Sequence, residues 1–169
     1  MPKMRDLRKV GADYLDTAPV RGVLTQLIPA GAAATFRALE DPESWPQFIG
    51  PITEVIWTSP KPFGVGTTRD IKGRGTSISE EFWGWEDGRS MGFCFTAADV
   101  PAFAAFAEEW AVDQLGDDTS RLTWRYGFET PRRLKVIQPV LAFGFKRQGA
   151  RFLEGLADYM EANKAKYSD

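Results

Sequence analysis

Six segments with a period of two follow one another between residues 52 and 129, and a helical stretch replaces them after Pro131. The segments are ITEVIWT (52–58), TTRDIKGR (67–74), SISEEFWGWE (77–86), SMGFCFTA (90–97), AFAAFAEEWAVDQL (102–115) and SRLTWRYGFE (120–129). The breaks between them hold turn chemistry: Pro60-Lys61-Pro62, Asp87-Gly88 and Gly116-Asp117-Asp118. Such short breaks imply antiparallel neighbours, because a parallel crossover needs a dozen residues or more. A seventh strand is expected upstream at Val20–Ile28, rich in β-branched residues and closed by Pro29.

Two short helices are expected between the first strand and the rest. One covers 30–40, with Ala33, Phe36 and Leu39 at helical spacing, and stops before Pro42. The second holds Trp45, Phe48 and Ile49 and ends near Gly50-Pro51. Pro139 suits a helix N1 position, so the long final helix is placed from there to about Asn163, with a shorter helical turn before it. Its apolar stripe runs through Phe145, Phe152, Leu156 and Tyr159/Met160. The expected architecture is α+β: a curved seven-stranded antiparallel sheet around one long C-terminal helix. Residues 1–18 read as an N-terminal extension and 19–164 as a single domain. Three helices do not fill the concave face of so wide a sheet, and an internal cavity is the expected consequence.

The chain has no histidine, which removes the commonest metal ligand and the commonest general base. Zinc sites and Ser-His-Asp or Cys-His chemistry are excluded as usually built, and no metal or other cofactor is expected. A net charge of −2 gives no global attraction to nucleic acid. The single cysteine, Cys94, makes no internal disulfide. The apolar tract at 136–145 would extend ~15 Å as helix, half of the ~30 Å needed to span a bilayer. The N-terminus lacks the apolar run of a secretory signal, so a cytoplasmic location is expected.

Several motifs carry a family likeness. They are Ala30-x3-Ala34-Thr35-Phe36-x2-Leu39-x-Asp41, Trp45-Pro46-x-Phe48, Gly66-Thr67, Glu81-x3-Trp85-Glu86, Gly88-Arg89-x-Met91-x-Phe93 and Thr119-x-Arg121-Leu122-Thr123-Trp124. In this order, and followed by a long C-terminal helix, they resemble the START/Bet v 1-like (SRPBCC) superfamily, in particular its polyketide cyclase/dehydrase branch. The resemblance covers about residues 20–160 and implies the helix-grip fold. It also implies a small hydrophobic ligand, and it leaves open a cofactor-free cyclase or dehydratase, a lipid or quinone carrier, or an interaction module. Fold transfers across such a superfamily better than function does.

Strand alternation assigns side chains to the cavity face. The inward set is Met91, Phe93 and Phe95 on 90–97, and Leu122, Trp124, Tyr126 and Phe128 on 120–129. On 102–115 it is Phe106, Trp110 and Val112, which carries Glu108 inward, and on 67–74 Arg69 follows Ile71. On 77–86 either Ile78/Glu80/Phe82 or Glu81/Trp83/Trp85 fits. With Phe152 and Leu156 from the final helix, the expected ligand-binding wall is Phe93, Phe95, Phe106, Trp110, Trp124, Tyr126, Phe128, Phe152 and Leu156. Its aromatic character favours an aromatic or polycyclic ligand, and a plain packed core is the alternative.

Three residues are candidates for chemistry. Tyr126 would donate a hydrogen bond to a ligand carbonyl, or else turn its hydroxyl to the final helix or the cavity mouth. Glu108 would act as a base with a raised pKa if unpaired, or pair with Arg69. Arg69 would clamp a carbonyl or carboxylate, as the resemblance implies for cyclase-like members, or lie on the surface. Cys94 shares parity with Gly92 and Thr96 and is assigned to the outer face. The glycines around 64–66 and 73–75 are not a phosphate loop, because no helix follows them. Six basic residues and no acid between 131 and 153 form either a solvated helix face or a surface for anionic ligands or transient contact with anionic lipid.

Overall fold

The computed structural model describes residues 3–168. A two-residue strand β1 (Arg5–Asp6) and a single-turn helix α1 (Tyr14–Thr17) precede β2 (Val20–Ile28). Then come α2 (Ala32–Glu40), α3 (Trp45–Phe48), β3 (Ile52–Trp57), β4 (Thr68–Gly73), β5 (Thr76–Glu86) and β6 (Ser90–Ala98). The hairpin β7 (Ala105–Gly116) and β8 (Thr119–Glu129) leads through a 3₁₀ helix at Arg132–Ile137 into α4 (Gln138–Tyr167). All pairings are antiparallel, in the order β2-β8-β7-β6-β5-β4-β3, and β1 adds to β6. This is the helix-grip architecture the alternation implied, with one small strand more.

Register shifts in β3, β7 and twice along β5–β6 curl the sheet. An extra residue on one strand increases local twist and bends it. The shift at Phe82/Gly84 also explains why β5 has no readable parity. Phe82 and Trp85 both join the main core, while the extra residue between them, Trp83, packs on the outer face.

Helix α2 starts at Gly31, where the Ala32 N–H donates to Gln114 Oε1 of β7 at 2.5 Å. That borrowed acceptor satisfies one of the orphan donors of a helix start that has no capping side chain of its own. At the far end, Asp41 accepts hydrogen bonds from Lys166 Nζ and the Tyr167 hydroxyl, tying α2 to the last turn of α4. Leu153, Leu156 and Met160 of α4 are buried in the same core as Phe93, Trp110 and Trp124, which seats the helix in the concave face. Gly149 is required at the closest approach, since a Cβ there would overlap the Trp124 ring.

The outer face is partly covered too. Tyr14, Leu15 and Ala18 pack with Cys94, Ala105 and Ala107 in a second small cluster. Cys94 therefore lies on the outer face but is buried, and burial pushes its thiol pKa up. No helix of the described residues is long and apolar enough to cross a membrane.

Candidate functional site

Between the sheet, α3 and α4 lies a cavity of ≈ 220 Å³. Its wall is mostly apolar: Trp45 and Ile49 from α3 and its end, Ile71 and Ile78 from β4 and β5, Phe145 and Phe152 from α4. Phe95, Phe106, Trp110 and Trp124 supply the aromatic floor, with Phe95 and Phe106 stacked at 4.1 Å between centroids. Phe103 enters from the loop before β7 and touches the Phe95, Phe106, Phe128 and Phe145 rings.

Into this apolar wall the strands carry three ionisable side chains, Arg69, Glu80 and Glu108. Arg69 is 1% exposed and donates from Nε to Glu80 Oε2 at 2.5 Å. Its guanidinium carbon lies 4.3 Å from the Trp45 ring centroid, 4.5 Å from Phe93, 5.1 Å from Phe82 and 5.3 Å from Trp57. Four aromatic rings therefore surround one cation, a setting in which each desolvated contact is worth up to ~2 kcal/mol. Arginine tolerates such a site because its charge is delocalised and weakly hydrated.

Glu108 does not pair with Arg69, because Glu80 occupies that position. Its Oε2 instead accepts a hydrogen bond from Trp124 Nε1 at 2.5 Å. Burial pushes the Glu108 carboxyl up to about 8, and the neighbouring Glu80 adds to the shift; Trp124, Arg69 and Trp110 pull the other way without reversing it. Burial also raises the Glu80 carboxyl against the opposing pull of Arg69. One permanent cation balances one carboxylate. Glu80 is in direct contact with that cation, and Glu108, held near 8, keeps its proton at neutral pH.

Two donors at this wall are left over. Arg69 Nη1 is buried and makes no hydrogen bond among the described residues, and buried Trp110 Nε1 faces Glu108 closely enough to lower its pKa without reaching hydrogen-bond geometry. Buried polar groups are satisfied in the great majority of cases, so each exception asks for a partner. Arg69, Glu80 and Glu108 are the ionisable members of an otherwise mostly apolar lining.

The expected wall residues divide accordingly. Phe95, Phe106, Trp110, Trp124 and Phe152 line the cavity. Phe93, Tyr126, Phe128 and Leu156 are buried in the core but stand behind that wall. Tyr126 lies across Gly22 of β2, where a Cβ would meet its hydroxyl, and Phe145 covers its ring at 4.9 Å. It stands directly opposite Glu108 in the β7–β8 register, but it does not line the cavity with Glu108 and Arg69. Glu80 was one of two open alternatives on its strand, and Trp45, Phe103 and Phe145 had no place in the expected wall. Among the described residues no group of His, Cys, Asp and Glu could hold a metal ion.

Comparison with known proteins places this geometry. The solved aromatase/cyclase Zhui from Streptomyces sp. R1128 superposes with a TM-score of 0.67 at 14% identity, covering 85% of this chain and 94% of that one. A START superfamily protein from Mycobacterium smegmatis gives a TM-score of 0.69 at 15% identity, covering 83% and 99%. Likeness at that identity concerns the fold. An uncharacterised protein of Mycobacterium tuberculosis is 36% identical over 167 residues, 96% of this chain and 97% of its own length. A counterpart from Mycobacterium bovis matches equally. Residues 19–161 match the family described as polyketide cyclase / dehydrase and lipid transport. The chain belongs to that family.

Proposed function

We propose that the protein binds a small aromatic molecule in the internal cavity, with a hydroxyl or carbonyl group of the ligand directed at Glu108, Arg69 and Trp110. The observation that carries this reading is the combination of a mostly apolar, aromatic cavity with Arg69, Glu80 and Glu108 on its wall. Ligand sites are built in this way, from apolar walls and a few convergent polar groups. Size narrows the class. A cavity of about 150 Å³ admits benzene, and drug-sized pockets begin near ~300 Å³, so ≈ 220 Å³ suits one or two rings better than an extended polycycle.

A second reading, cofactor-free proton transfer as in a cyclase or dehydratase, is favoured by one feature. A carboxyl with a pKa of about 8 holds a proton at neutral pH and releases it within the working range of a general acid or base. Arg69 would then polarise a ligand carbonyl and Glu108 would exchange a proton with the adjacent carbon. Tyr126 does not line the cavity and is given no part in this. An all-lipid carrier is less well supported, since a straight acyl chain makes no use of three converging polar groups.

Native mass spectrometry of the purified protein, followed by analysis of a denatured extract, tests the binding reading. The expected result is an adduct of one small aromatic molecule per chain, lost when a bulky side chain fills the cavity. A long-chain lipid in the extract would contradict the ligand class.

A further inference from the structure

The N-terminal half of α4 and the 3₁₀ helix before it present a surface that the cavity does not use. Val136 is 91% exposed, Val140 72% and Phe143 69%, with Ile137 beside them at 45%. Leaving these side chains in water is costly. Around them stand Arg132, Arg133, Lys135, Lys146, Arg147 and Arg151, all exposed, with no acidic residue between 131 and 153. Among the described residues none of the six forms an ion pair.

The arrangement is periodic as well as local. At about 100° per residue, Val140, Phe143, Arg147 and Arg151 fall within about 80° of one another on α4. The opposite face carries Phe145 and Phe152 into the cavity wall. The chain as a whole has a net charge of −2, so this positive field is a property of one face. Apolar side chains rimmed by Lys and Arg are the pattern of a helix that lies in a lipid headgroup layer. A second copy of the chain is a poor occupant, because an isologous contact would set the same basic rims against each other.

We propose that this face docks the protein on an anionic lipid surface, with Val136, Val140 and Phe143 entering the headgroup layer and the six basic side chains meeting its phosphates. A neighbouring cleft strengthens the placement. It is lined by Val140 on the outside and by Phe103 and Phe145, two rings of the cavity wall, on the inside. A docked membrane would lie beside these two rings of that wall.

Co-sedimentation with phosphatidylcholine vesicles, with and without phosphatidylglycerol, tests the proposal. No cavity ligand is needed, so failure here and failure of the cavity reading are separate results. Binding is expected only with phosphatidylglycerol and should be lost as salt rises to about 0.5 M. The triple variant Lys146→Gln, Arg147→Gln, Arg151→Gln should lower the partition coefficient about 100-fold, at about fivefold for each basic side chain. Val140→Ser with Phe143→Ser should lower it at least tenfold, and thermal melts of both variants should match the parent. No binding, equal binding to neutral vesicles, or binding unchanged by both variants would overturn the proposal. So would a dimer that Phe143→Ser dissolves, or an acidic protein that takes the face in place of lipid.

Discussion

Replacing Arg69 with alanine should destabilise the protein by about 3–5 kcal/mol near neutral pH, measured by urea denaturation. Removing one partner of a buried ion pair leaves the other uncompensated, and that is where the cost arises. Glu80, 4% exposed, loses its cation contact, and four aromatic rings lose the guanidinium between them. The double change Arg69→Met with Glu80→Leu removes both charges while keeping volume, and it should recover most of the loss. That contrast matters, because a pair replaced by apolar groups is often neutral or better. If the single and double variants are equally unstable, packing of the arginine stem and not the stranded carboxylate would be the cause.

The Glu108→Gln variant should diverge from the parent with pH. The folded-state pKa of Glu108, about 8, lies above its unfolded value of 4.5, so the folded protein binds the proton more tightly. The group's contribution is then fully present below pH 4.5 and is lost progressively as pH rises to about 8. Glutamine mimics the protonated carboxyl and still accepts the Trp124 N–H, so it does not pay that cost. Parent and variant should be similar near pH 4, and at pH 9 the variant should be more stable by about 5 kcal/mol. Parallel denaturant titrations across that range check it. Identical pH slopes would mean that the carboxyl is not held uncharged. On the proton-transfer reading, exchange of the α-protons of a bound bicyclic ketone should rise through pH 8 in the parent and vanish in the variant.

How far the sequence reaches is decided by particular residues. Alternation along β7 and β4 brought Glu108 and Arg69 inward, because those strands keep their register across the site. It stopped at β5, where the bulge at Trp83 lets Phe82 and Trp85 share a face. That ambiguity hid Glu80, so Arg69 had no visible partner but Glu108. Tyr126 shows a second limit. Parity states which face a side chain takes, and says nothing of what covers it. The absence of a side chain at Gly22 lets the Tyr126 ring lean over β2, and Phe145 then closes it off. Phe103 falls inside the expected strand 102–115, but β7 begins only at Ala105 and leaves it on a loop, where alternation does not set its direction. The fold was legible because it rests on turns and periods repeated over seven strands. The site was half legible because it rests on contacts between strands.

The central claim is that the cavity takes a small aromatic molecule with a polar group, and calorimetric titration with 2-naphthol tests it most directly. Ile78 on the cavity wall is only partly buried, so Ile78→Trp fills the space with little disturbance to the rest of the core. Saturable binding of one molecule per chain is expected in the parent. Burial of an apolar ring should give it a negative heat-capacity change, and Ile78→Trp should abolish the binding while leaving the fold intact. Equal binding by parent and variant, or no saturable binding by the parent of this or any other one- or two-ring phenol, would contradict it.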